Sequence, residues 1–265
     1  MLRLGGWFST AVSLLFGEAV ADASPLYRLI ERYADEAMLA AIAREYARGR
    51  LLLIGTTNLD LQRPVVWNIG AIAASDHPEA LRLFRRILLA SASIPGAFPP
   101  VLVDVRHEGR AYQEMHVDGG AAVQVFLYPP ALQFREAPWA QATRRRVVHV
   151  VRNGRIDVEG ASVTRGVLSI ATRSVLTLLH FSGIDDIDRI YLTALRDGLE
   201  FRLTYIGAEF RAKRRGPFDP GYMRALFDYG RARGLSRETW VTAPPLITTL
   251  PDGSRAARTP QVSEQ

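Results

Sequence analysis

Apolar and polar positions alternate along this chain with two periods, and segments of the two kinds follow one another. Ser24-Pro25 reads as an N-cap with proline in the first helical turn, opening a helix to about Tyr33. Residues 35–47 place Met38, Leu39, Ile42 and Tyr46 on one stripe, which predicts a second helix stopped by Gly49. Leu51-Leu52-Leu53-Ile54 is an unbroken apolar run of strand length, the pattern of a strand buried on both faces of a parallel sheet. Residues 65–69 predict another strand. Residues 78–92 are helical in period, with Leu81, Phe84, Leu88 and Leu89 inward and Arg82, Arg85 and Arg86 outward.

Pro95, Pro99 and Pro100 end that helix, and strands follow at 101–105 and 110–117, turning through His107-Glu108-Gly109. A buried strand at 146–151, an apolar helix at 167–179 continuing through 187–196, and a strand at 199–206 come next. Asp219-Pro220 opens a last helix, which Gly234 stops near Arg233. Helices alternating with buried strands predict an α/β class with a mostly parallel central sheet flanked by helices. No long linker divides the pattern, so one domain is expected over residues 1–250, with a polar, disordered tail over 251–265.

The chain has 265 residues, 48% of them hydrophobic, so a large core is available without staples. It holds no cysteine, which excludes disulfides, thiolate nucleophiles and cysteine-ligated zinc. The net charge is +6, carried almost wholly by arginine, Lys213 being the single lysine. Arg144, Arg145, Arg146 and the cluster from Arg211 to Arg215 are the candidates for peripheral contact with an anionic membrane. No nucleic-acid-binding module accompanies this charge, and none is expected to bind. Near the start, Arg3, the apolar stretch from Leu4 to Gly17 and Ala19-Val20-Ala21 imitate a signal peptide. Gly5 and Gly6 interrupt that stretch, which favours a cytoplasmic or peripheral-membrane protein over a secreted one.

The chemistry concentrates at Glu114-Met115-His116-Val117-Asp118-Gly119-Gly120. On a strand, Glu114, His116 and Asp118 would share one face. Three such groups could bind a metal, but no second histidine lies at metal-ligating helical spacing; neither metal nor cofactor is expected. Asp-Gly alone favours a tight turn. A carboxylate at a strand end followed by two glycines can also meet a reacting group with little obstruction, as a general base.

Four segments together resemble the patatin-like phospholipases, serine acyl hydrolases of α/β fold. They are residues 49–60 with Gly55-Thr56-Thr57-Asn58, Trp67-Asn68-Ile69-Gly70, the run from Ala90 to Pro100, and Glu114 to Gly120. The likeness is clearest over residues 15–130. It implies a Ser–Asp dyad in which Asp118 is the general base, Gly119 and Gly120 let the chain turn beside the serine, and Ser93, Pro95 and Phe98 shape the wall of the site. The implied substrate is a phospholipid or other fatty-acyl ester, cleaved through an acyl-serine without a metal.

The sequence departs from that family at the nucleophile. No Gly-x-Ser-x-Gly occurs among the 265 residues, and no glycine-rich oxyanion loop precedes the matched region. Gly160-Ala161-Ser162-Val163-Thr164 lacks the second glycine and follows Asp118, the wrong order. The expectation is therefore a patatin-like domain without its N-terminal strands, bearing the aspartate and not the serine, and inactive alone. The alternatives are a non-catalytic lipid-binding or interaction protein of the same descent, and a hydrolase using Ser93 or another chain's serine.

Overall fold

The computed structural model describes residues 22–127, 145–157, 162–216, 219–236, 239–245, and the backbone of 247–249 and 255–257. Where one domain is predicted, contacts divide the chain into two compact units, residues 1–124 and 125–265.

The first unit opens with helices α1 (Ser24–Tyr33) and α2 (Glu36–Ala47). The cap of α1 differs from expectation. Ala23 occupies the N-cap position, and the Asp22 carboxylate accepts the Ser24 N–H at 2.9 Å, while Pro25 sits in the first turn as its missing donor allows. Asp35 caps α2 by accepting the Met38 N–H, and Gly49, at φ +87°, ends that region in the left-handed conformation glycine tolerates.

Strands β1 (Leu53–Asn58), β2 (Arg63–Asn68), β3 (Val101–His107) and β4 (Arg110–Asp118) form a four-stranded sheet in the order β2-β1-β4-β3. Every pairing in it is antiparallel, which corrects the expected parallel sheet. The reason is the length of the connections. Only residues 59–62 separate β1 from β2, and only Glu108 and Gly109, both at positive φ, separate β3 from β4. A parallel neighbour needs a crossover of a dozen residues or more, and two residues of left-handed backbone instead make a tight hairpin. The expected burial of Leu51 to Leu53 is also corrected. These leucines are exposed, and burial in β1 begins past them, reaching completion at Thr56, Thr57 and Asn58.

Helices α3 (Ile69–Ala73) and α4 (Ala80–Ala90) follow β2. Asn68 caps α3 by accepting the Ala71 N–H, and the Tyr46 ring packs where a Gly70 side chain would stand. In α4, Ala80, Phe84 and Ile87 recur at helical spacing and are buried. Phe84 and Ile87 make the core of the unit with Ala34 and Ile69, and Ile54 and Trp67 from the sheet pack against it.

In the second unit β5 (Val147–Arg155) and β6 (Glu200–Ile206) pair in parallel, joined through α5 (Val167–Arg196), a single helix of 30 residues. Here the parallel expectation holds, because a helix supplies the crossover. The C-terminal half of α5 buries Ile184, Ile187, Tyr191 and Ala194 against Val150, Phe201 and Leu203. Helix α6 (Pro220–Leu235) is capped by Asp219, which accepts from the N–H groups of Gly221 and Tyr222, and it runs past Gly234. Strands β7 (Ile247–Thr249) and β8 (Arg255–Ala257) form an antiparallel pair; the rest of the 251–265 tail expected to be disordered lies outside the described residues. Among the described residues no helix is long and apolar enough to cross a membrane.

Glu200, at the start of β6, meets the Arg145 guanidinium in two hydrogen bonds of 2.5 and 2.7 Å and Arg202 in a third. The bond to Arg145 is the main cause that holds its carboxyl down at about 2, against an ordinary 4.5. A depressed folded-state value contributes stability that is complete above the unfolded value and lost as pH falls toward the folded one. Glu200→Gln is therefore expected to flatten the pH dependence of stability between about 4.5 and 2, read from urea midpoints. The pair is exposed, so the change is small beside that of a core substitution.

Candidate functional site

The site is built where β4 ends. Asp118 is the last residue of that strand and caps the short turn Gly119–Ala121, its carboxylate Oδ1 accepting the Gly120 N–H at 2.7 Å. The side chain is half-buried. A carboxylate with one oxygen held by its own backbone and partial access to solvent has a fixed direction and room to accept a proton.

Three contacts lock this strand end in place. Asp118 lies opposite Thr56 in the β1–β4 ladder. The Thr57 hydroxyl donates to the Asp118 carbonyl at 3.0 Å and reaches the Gly119 carbonyl at 3.3 Å. The Asp118 N–H donates to the carbonyl of Ser93 at 2.9 Å. That last bond joins the Ser-x-Pro segment to the Asp-Gly-Gly segment, which the sequence separates widely.

Gly119 is glycine for a steric reason. A side-chain carbon there would lie 2.7 Å from the Gly55 carbonyl oxygen and 2.8 Å from its carbon. The backbone of β1 occupies that space. At Gly120 the nearest atom to an added carbon is Asp118 Oδ1, at 3.1 Å.

Ser93 is fully buried, and its hydroxyl donates to the Leu89 carbonyl at 2.8 Å, as Ser91 does to Leu88 at 2.9 Å. Each hydroxyl closes the end of α4 by back-bonding one turn. A buried hydroxyl whose proton is so engaged is not placed to attack a substrate carbonyl, so the structure gives Ser93 no nucleophilic geometry. Pro95 is exposed at a loop tip with Ile94 and Gly96, the last at φ +81°. Phe98 is half-buried, and the loop folds back because the N–H groups of Ala97 and Phe98 both donate to the Ile94 carbonyl at 3.0 Å.

Glu114 and His116 do share a face with Asp118, but they are committed to each other. His116 is fully buried, its Nδ1 is 2.9 Å from Thr56 Oγ1, and its Nε2 is 3.3 Å from Glu114 Oε2. Trp67 Nε1 donates to the same Thr56 oxygen at 2.8 Å, and its ring centroid lies 5.5 Å from that of His116. Among the described residues no group of three metal-ligating side chains is placed to hold an ion. Asn58, opposite His116, accepts the Leu61 N–H, while its buried Nδ2 has no partner among the described residues.

Thr56, Thr57, Asn58 and Trp67 lie inside the segments that carry the resemblance, yet nothing in their spacing marks them as parts of one network. Their signal is an unusual one: a strand whose buried positions are Thr-Thr-Asn rather than aliphatic. Such polar burial requires hydrogen-bond partners.

The cationic candidates separate into two kinds. Arg144 lies outside the described residues, and Arg145 is engaged by Glu200. Arg211, Lys213, Arg214 and Arg215 are exposed, and none is in an ion pair among the described residues. Compared with protein-family models and with curated proteins, the chain matches none.

Proposed function

We propose that this chain carries the general-base half of a patatin-like serine acyl hydrolase acting on fatty-acyl esters such as phospholipids. The observation that supports this reading most is the bond from Asp118 N–H to the Ser93 carbonyl. It brings the two segments of most specific resemblance onto one another and leaves the Asp118 carboxylate aimed from the strand end. The nucleophile is a serine that these residues do not present in an elbow. Its hydroxyl gives a proton to Asp118 as its oxygen bonds to the acyl carbon. The alcohol leaves with that proton as its bond to the acyl carbon breaks. Water then attacks the acyl-serine and gives a proton to Asp118, which passes it to the serine oxygen as the serine–acyl bond breaks and the fatty acid is released.

The test begins by translating the coding DNA upstream of Met1 in frame and expressing what it encodes with this chain. Labelling of a serine by a fluorophosphonate probe, together with ester hydrolysis, is the expected result. The 265 residues alone are expected to take no label. A labelled serine within them, or an extended protein that neither labels nor hydrolyses, would overturn the reading.

A second reading is supported by the free cationic stretch at Arg211, Lys213, Arg214 and Arg215. As a non-catalytic lipid-binding protein, the chain would bind anionic vesicles in a salt-sensitive way, at about 1 kcal/mol per basic residue near the surface. Asp118→Asn would leave that binding unchanged.

A further inference from the structure

We infer that His116 is a positioning residue for Asp118, acting through a relay, buried at Thr56 and His116, that ties three adjacent strands together at the end bearing the carboxylate. The inference rests on the acyl-hydrolase reading for what Asp118 does, and on the geometry alone for how Asp118 is held.

The relay runs from Trp67 on β2, through Thr56 on β1, to His116 and Glu114 on β4. Its direction follows from the donors. An indole N–H only donates, so Thr56 Oγ1 accepts from Trp67. The Thr56 hydroxyl then has one proton to give, and His116 Nδ1 is 2.9 Å away. His116 Nε2–H donates in turn toward Glu114. In the opposite tautomer the Thr56 proton would have no acceptor and a bare ring nitrogen would face a carboxylate. A doubly protonated ring would also strand the Thr56 proton. The neutral Nε2–H form alone uses every hydrogen, and in a buried network each unused one is costly.

Thr56 is the hinge of this arrangement. Its backbone pairs with Asp118 in the ladder while its side chain reaches diagonally to His116, two residues earlier on the same strand. Fixing the His116 ring against Thr56 therefore fixes the register of the last residues of β4, from which Asp118 and the Gly119–Ala121 turn project. Glu114, His116 and Asp118 occupy alternate positions of β4, so the histidine takes the place between the two carboxylate-bearing residues on that face.

The Gly120 amide, held by Asp118 Oδ1, reports the position of the carboxylate without any need for turnover. In the isotopically labelled chain, ring-nitrogen shifts are expected to show His116 protonated at Nε2 and bare at Nδ1. Thr56→Val is expected to speed hydrogen exchange of the Gly120 amide about tenfold, the scale of one lost hydrogen bond. Thr56→Ser, which keeps the hydroxyl, restores the original rate. The amide of Val105, in the β3–β4 hairpin away from the relay, keeps its own rate throughout. An unchanged Gly120 amide in Thr56→Val, a reversed tautomer, or equal loss of protection at Val105 overturns the inference. Should Thr56→Val fail to fold, Trp67→Phe keeps the ring beside His116 and removes the first donor, and the same comparison applies. A relay that behaves as stated in a protein that never hydrolyses esters sinks the acyl-hydrolase reading alone. Ester hydrolysis with Gly120 unmoved sinks the relay alone.

Discussion

Under the proposed function, Asp118→Asn in an extended protein that supplies a nucleophilic serine is expected to lower turnover of a fatty-acyl ester by about a thousandfold, within the range typical of a lost general base. Asparagine keeps the size and planarity of the side chain, and its amide oxygen can still accept the Gly120 N–H that Asp118 Oδ1 accepts at 2.7 Å. The turn Gly119–Ala121 therefore retains its cap, and circular dichroism and the urea midpoint should barely move. What disappears is the capacity to take a proton, since an amide is not a base near neutral pH. The serine hydroxyl then has no acceptor as it attacks, and the acyl-enzyme has none for its water. The loss should fall on kcat, with KM little changed, because the carboxylate acts on the reacting proton and not on the acyl chain. Equal turnover by the variant would remove Asp118 from the chemistry.

Gly119→Ala is expected to be strongly destabilising, costing on the order of 3 kcal/mol, the upper end for overpacking. The added carbon would meet the Gly55 carbonyl at 2.7 and 2.8 Å and the Thr56 nitrogen at 3.3 Å, all of them backbone. No rotamer change relieves a backbone clash. β1 would have to move from β4 at the point where Thr56 pairs with Asp118 and where the Thr57 hydroxyl holds the Asp118 carbonyl. Gly120→Ala is the control, since its closest contact is a side-chain oxygen at 3.1 Å that can shift slightly. The measurement is the urea midpoint of each variant at unchanged slope. A Gly119→Ala protein as stable as Gly120→Ala would show that the strand ends are looser than the structure describes.

The two predictions distinguish reasons for which adjacent residues of one motif are what they are. Asp118 is replaceable structurally and required chemically under the proposed function. Gly119 takes part in no reaction and is required by the approach of another strand. The motif is legible as a unit in the sequence, but these separate reasons are not, because the atoms that impose them belong to Gly55, Thr57 and Ser93.

Local chemistry made much of the architecture readable. Helix α4 follows from the period of Leu81, Phe84, Leu88 and Leu89, although of these only Phe84 is fully buried, with Ala80, Ile87 and Ala90 instead of the leucines. The β3–β4 hairpin follows from Glu108-Gly109, and α6 from Asp219-Pro220. Each of these rests on neighbours within a few residues, so the sequence by itself determined them, along with the position of Asp118 at a strand end. Strand direction was not determined in that way. An apolar run such as Leu51 to Ile54 is the same whether its partners run parallel or antiparallel, and the pairing with residues 63–68 and 116–118 was decided by tertiary contact. The same holds for the roles of buried polar groups. Thr56, His116, Glu114 and Trp67 form one network only because three strands lie side by side, and burial then obliges each donor to find its acceptor.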